Sequence, residues 1–194
     1  MPDAGANTLL VYSVTALLAH LTISLGQTLF HRYLGHSRLG GRFFKNHIQF
    51  HHAQYAGDHV VSTRYVDDGD QNTLFFVMPI FLLVGLSYLL LKLDLVLIQL
   101  TVMSLSFCWH YYLDNQYHVA GSRLGRFSWF RRKQQLHFIH HRHANCNFAV
   151  VDFFWDRLIG TYRGVEPGCA LRSRRGPSGS AATGQPKNAK CTSS

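Results

Sequence analysis

From Thr73 to Leu113 the chain is almost free of charge, with Lys92, Asp94 and His110 its only charged or histidine positions. The stretch is twice the length a helix needs to cross about 30 Å of hydrocarbon. Lys92-Leu93-Asp94 interrupts it near the middle. The pattern predicts a helical hairpin, with spans at about 74–91 and 95–112 and a tight turn at 92–94. A buried soluble hairpin is the competing reading, and the length and scarcity of charge weigh against it. Residues 8–30 form another apolar run, broken by His20 and a few Ser, Thr and Gln. It reads as a retained first membrane helix. A cleaved signal peptide would want a basic leading region and a small-residue cleavage site, and neither is evident. The fold expected is all-α, an integral membrane bundle of about three transmembrane helices with a cytosolic helical cap.

Orientation follows from Lys and Arg. Arg32, Arg38, Arg42, Lys45 and Arg64 lie between the first span and the hairpin, and Arg123, Arg126, Arg131, Arg132, Lys133, Arg142 and Arg157 follow it. The N-terminus has none, and the hairpin turn has only Lys92. The positive-inside rule therefore puts the N-terminus outside and both basic segments in the cytosol. The same bias accounts for the formal net charge of +9 better than nucleic acid does, so no nucleic-acid partner is expected. Residues 1–166 read as one membrane-embedded domain. Residues 167–194, rich in Ser, Gly, Ala and Lys/Arg without hydrophobic period, read as a disordered tail.

Histidine is the other unusual feature. The chain has 13 His, 9 Tyr and a single glutamate, Glu166. A carboxylate-bridged di-iron bundle needs Glu from several helices, which this chain lacks. Cys108, Cys146, Cys169 and Cys191 form no C-x-x-C pair, so neither a thiolate zinc site nor a disulfide framework is expected. On a helix, His137, His140 and His141 fall on one face within about one turn. Three neutral imidazoles aimed at one point suit zinc, copper or iron. His47 and His51 form an i,i+4 pair, with His52 off that face as a ligand to another metal or a residue orienting one. His31 and His36 lie about 140° apart on a regular helix and share a site only if it breaks near Leu34-Gly35. His110, Asp114 and His118, spaced i, i+4, i+8, line one face where the third span leaves the bilayer. His59 and His143 sit outside these faces, as surface residues or supports. His20, mid-span, reads as a hydrogen-bonded intramembrane histidine.

His31-Arg32-x3-His36, His47-x3-His51-His52 and His137-x2-His140-His141, closed by Trp155-Asp156-Arg157-x2-Gly160-Thr161, resemble the fatty acid hydroxylase / sterol desaturase superfamily. The match covers roughly residues 30–162, and the ordered set of boxes around a hydrophobic hairpin is what makes it specific. The resemblance implies a histidine-rich centre of two iron ions at the cytosolic mouth of the bundle, with O2 activated to hydroxylate or desaturate lipid chains, sterols or carotenoids. It assigns metal ligation to His31, His36, His47, His51, His52, His137, His140 and His141. The second box has one residue more than usual before its His pair. After the hairpin, where the family often carries a further pair, the chain offers His118, taken here as a ligand. His110, Asp114 and His143 are further candidates for ligation or for orienting ligands, and Asn115 or water can also complete the shell.

The chain has no flavin or nicotinamide glycine fingerprint and no haem-attachment C-x-x-C-H. Electrons must then come from an external donor of ferredoxin, rubredoxin or cytochrome type, for which the basic stretch 123–133 offers a docking face. Zinc can replace iron in a purified sample. Asp156 and Arg157 are expected to pair or hydrogen-bond while Phe153, Phe154 and Trp155 cover the site. Three functions remain open: an O2-dependent lipid hydroxylase; a desaturase or sterol/carotenoid oxygenase with the same centre; and a non-enzymatic histidine-rich membrane metal-binding protein. A metal transporter would want polar residues along the bilayer midplane, where this chain offers only His20.

Overall fold

The computed structural model describes residues 4–57, 59–66 and 71–165. They form α1 (Ala4–Phe30), α2 (Arg42–Phe44), α3 (Gln71–Leu90), α4 (Leu93–Tyr117), α5 (Ser128–Arg142) and α6 (Phe154–Leu158). Two segments widen into π-helix: His31–Gly35 prolongs α1, and Lys45–His52 prolongs α2. No strand occurs among the described residues. An isolated parallel bridge joins Ser62 to Val119, through Ser62 N donating to the His118 carbonyl at 2.9 Å and Ala120 N to the Ser62 carbonyl at 2.8 Å. The tail expected from residue 167 onward lies outside the described residues, as do Glu166, Cys169 and Cys191. Cys108 and Cys146 are free thiols.

Two helical stretches, Gly5–Gly35 and Leu93–Tyr117, are long and apolar enough to cross a membrane. Their outward faces carry uncovered apolar side chains, among them Leu9, Leu10, Leu17, Leu97 and Leu105. A soluble hairpin would bury such a surface. α3 presents Phe81, Leu82, Leu86 and Leu89 in the same way. Ala19, Ile23, Ile80 and Met103 form a small core where α1, α3 and α4 meet. The Tyr12 hydroxyl donates to Asp94 at 2.7 Å and ties α1 to the start of α4.

The hairpin turn is tighter than expected, closing at Leu91-Lys92, and Asp94 already lies in the first turn of α4. α4 also continues beyond Tyr112 to Tyr117. The extra turn is held by packing: Leu113 and Tyr117 are fully buried with Val60, Phe130, Phe138, Val150 and Val151 in the core of the cap. The Tyr117 hydroxyl donates to the Val150 carbonyl at 2.9 Å. This extension carries Asp114 and His118 to the base of α5.

Candidate metal centre

The π-helical turns decide which histidines meet. Residues five apart lie far round an α-helix, but i→i+5 hydrogen bonding brings them close to one face. His31 and His36 are therefore brought together by widening of the helix, after which the chain departs at His36. Gly35 makes room for this: a Cβ there would lie 3.2 Å from His31 Cδ2 and 3.3 Å from both His47 Cδ2 and Phe43 Cε1. The second box follows the same rule. His47 gathers with His52, and His51 points into a different group. The α-helical pairing of His47 with His51 is thus corrected. On α5, which is regular, His137 and His141 serve one group and His140 the other.

Two groups result. His31, His36, His47, His52 and His140 form one, and His51, His118, His137 and His141 the other; in each, the ligand atoms lie within 4.8 Å of one another. The groups adjoin, with the His52 and His141 rings stacked 4.3 Å apart. In the first group Nε2 atoms approach at 2.7 Å (His31–His47), 3.1 Å (His36–His140, His36–His47, His52–His140), 3.2 Å (His47–His52) and 3.3 Å (His31–His36). In the second, His118 and His141 Nε2 lie 2.9 Å and 3.1 Å from His137 Nε2.

Three of these rings cannot donate in these contacts. His31 Nδ1 donates to the Phe148 carbonyl at 2.5 Å, His140 Nδ1 to the Cys146 carbonyl at 2.7 Å and His118 Nδ1 to the Val60 carbonyl at 2.8 Å. A carbonyl only accepts, so each of these neutral rings keeps its proton on Nδ1 and turns a bare lone pair inward. Lone pairs converging at about 3 Å repel unless a cation lies among them. Donors about 2.1 Å from one ion sit about 3.0 Å apart at right angles and about 4.2 Å apart across it, which is the spacing observed. The residues present therefore fit a metal in each group. The anchoring carbonyls are the usual partners of ligand imidazoles.

Protons do not substitute for the ions. Burial, then the charges of His31 and His52, pushes His36 down to about 2. Burial likewise pushes His52 down to about 3 and His118 to about 4. His47, His51, His137, His140 and His141 are lowered for the same reasons, burial first and neighbouring imidazoles after it. Neutral imidazole is the form that binds metal.

The remaining candidates divide. Asp114 Oδ1 lies 3.4 Å from His137 Nε2, beside the second group but outside the set of atoms that all lie within 4.8 Å of one another. His110 is part of neither group. His143 caps α5 and is exposed, and His59 is exposed as well. His20 is hydrogen-bonded, its Nδ1 2.9 Å from Ser106 Oγ and its Nε2 3.1 Å from Asp152 Oδ2. Asp156 and Arg157 do not pair. The buried Asp156 carboxylate accepts from Phe148 N at 2.8 Å, Ala149 N at 2.9 Å and the Thr161 hydroxyl at 2.6 Å, while Arg157 lies over the Tyr162 ring. Phe154 is exposed, Trp155 reaches Ser24 Oγ at 3.2 Å, and only Phe153 is buried.

Sequence reasoning missed three supports. Asn147, fully buried at φ 53, bonds the Leu136 and Arg163 carbonyls and Arg163 N. A lone amide inside the apolar run 146–151 was its signal. Tyr55, four residues after His51, stacks on His118 with centroids 3.9 Å apart. The third support, the carbonyls of Val60, Cys146 and Phe148, is backbone and leaves no side-chain trace.

No curated protein and no solved structure matches the chain. The model of the family described as fatty acid hydroxylase matches residues 16–161, a range that contains both histidine groups. The chain belongs to the fatty acid hydroxylase family.

Proposed function

We propose that the protein is a membrane-bound, O2-dependent oxygenase that hydroxylates a lipid, a fatty acyl chain or a related molecule, at a centre of two iron ions. The observation that carries this is the convergence of nine histidine nitrogens into two adjoining groups, each spaced for one ion. When bound, the two ions would supply the electrons that O2 reduction demands and direct its attack on an unactivated C–H bond. All-imidazole sites hold divalent iron with positions left for O2. The chain's own part is to hold each ring, keep it neutral and exclude water: His118, His137 and His140 are at most 1 % exposed.

In this reading α1, α3 and α4 are three crossings, with the N-terminus outside and the centre at the cytosolic mouth. The basic segments support that orientation. So does a belt of exposed Trp109, Tyr112, Phe127 and Trp129, the kind of side chain that settles at a bilayer interface. A centre at the membrane surface would let an acyl chain reach it without leaving an apolar medium. Electrons come from an acidic carrier docking on the exposed Arg123, Arg126, Arg131 and Arg132. Lys133 does not belong to that face, because its ammonium bonds the Val151 carbonyl.

The test joins metal analysis of detergent-purified protein to mass spectrometry of lipids from expressing cells. Two metals per chain and a lipid heavier by one oxygen are expected. A lipid lighter by two hydrogens would assign desaturation instead, and unchanged lipids together with transmembrane metal flux would overturn the oxygenase reading.

A further inference from the structure

The two groups are unequal. The first offers five imidazole nitrogens and the second four. Beside the second stands Asp114, with Oδ1 3.4 Å from His137 Nε2. His137 Nε2 is thus approached from three sides, by His118 Nε2 at 2.9 Å, His141 Nε2 at 3.1 Å and Asp114 Oδ1. A ring nitrogen carries at most one hydrogen, which lies in the ring plane and points one way, so three hydrogen bonds cannot explain three neighbours. One cation among them can.

The position of Asp114 on α4 fits this. It precedes His118 by one helical turn, so the same face presents both to α5. The helix reaches them only because it runs past Tyr112, and that extension is locked by buried Leu113 and Tyr117 on either side of Asp114.

We infer that Asp114 is the fifth donor of the second group, a carboxylate that gives that metal position a negative charge the first position lacks. This rests on the two-metal reading above and extends it: the two ions are chemically distinct. Hard oxygen donors favour the higher oxidation state and the harder ion. The ion beside Asp114 is then the more tightly held and the more readily oxidised of the two.

The test uses full-length protein in detergent, loaded with ferrous iron and carried as wild type, Asp114→Asn and Asp114→His. Metal per chain is measured after dialysis against graded chelator, and iron environments by Mössbauer spectroscopy. Wild type is expected to keep two ions with two distinct iron signals. Asp114→Asn, nearly the same shape, is expected to lose one ion at a chelator level at least about 10-fold lower, the other ion staying as a check that the fold persists. Asp114→His restores the stoichiometry of two and brings the signals together. If Asp114→Asn holds both ions with wild-type affinity and unchanged signals, the carboxylate is no ligand and the inference is overturned while the two-metal reading stands. If the wild type itself binds fewer than two ions, that reading fails first and takes this one with it.

Discussion

Replacing Asp156 with alanine tests how the cap holds its ligands. The carboxylate is fully buried and accepts from Phe148 N, Ala149 N and the Thr161 hydroxyl. The hydroxyl can turn toward the Asp156 carbonyl, which lies 3.5 Å away, so its loss is partly made good. The two amides cannot move without displacing the loop at 147–149, whose Phe148 carbonyl holds His31. Each orphaned buried donor costs about 1–3 kcal/mol, so the substitution is expected to cost about 4 kcal/mol. For a chain of this length that lowers Tm by about 8–16 °C. Thr161→Val removes one acceptable bond and costs about 1 kcal/mol, or about 2–4 °C.

The consequence reaches the metal. Phe148, whose amide Asp156 holds, offers its carbonyl to His31 Nδ1. Loosening that carbonyl frees the ring that turns its lone pair toward His47, and removal of such supports typically weakens a metal site about 10–100-fold. The assay is tryptophan-fluorescence melting in detergent with metal analysis of the same samples. A Tm within about 2 °C of wild type, with full metal content, would refute the claim that Asp156 organises the ligand loop.

Gly35→Ala places a methyl 3.2–3.3 Å from His31, His47 and Phe43, so it is expected to displace two rings of the first group and lower metal content toward one ion per chain, read by elemental analysis. Acid is expected to destabilise the protein from pH about 6.5 downward. Buried imidazoles stay neutral in the fold, with His118 lowered to about 4 and His52 to about 3, while the unfolded chain takes up protons near 6.5. Stability is therefore complete above that value and lost as the pH falls through the window to about 4, and a Tm that stays flat to pH 5 would contradict it. Charge reversal at Arg123 and Arg126 is expected to slow turnover with an acidic carrier and spare metal content.

Much of this arrangement is legible in the chain. Apolar length marks the helices, the boxes mark eight of the nine histidines, and the place of His118 after the hairpin marks the ninth. Their partition between two groups is not legible, because it depends on helix type. At 100° per residue His52 lies far round the helix from His47, and at π-helical pitch it comes within reach of it as His51 does. Nothing in Lys45-Asn46-His47-Ile48 announces the wider turn; Gly35 only permits its counterpart in the first box. Nor does the apolar pattern show where α4 ends, since Leu113 and Tyr117 continue it by tertiary packing rather than by hydropathy. The partners of Asp156 lie at 148, 149 and 161, in loops whose backbone amides no side-chain pattern reports.

On the two-metal reading, metal binding and folding of the histidine-bearing segments are one equilibrium. α1, α3 and α4 share a core of Ala19, Ile23, Ile80 and Met103 that contains no histidine. The segments that carry the two groups instead close around nine imidazoles, and His31, His140 and His118, anchored through Nδ1, turn their Nε2 lone pairs toward the other ring nitrogens. Binding free energy at such sites is folding free energy. Chelation is therefore expected to open 36–52 and 118–143 while α1, α3 and α4 hold. The exposed Arg38, Arg42, Arg123, Arg126 and Arg142 make trypsin a direct reporter: cleavage at these sites should accelerate at least about 10-fold on metal removal, with far-UV circular dichroism retaining most of its helical signal. Identical digestion with and without chelator would mean that the cap is held by its apolar core alone, around Leu113, Tyr117 and Phe130.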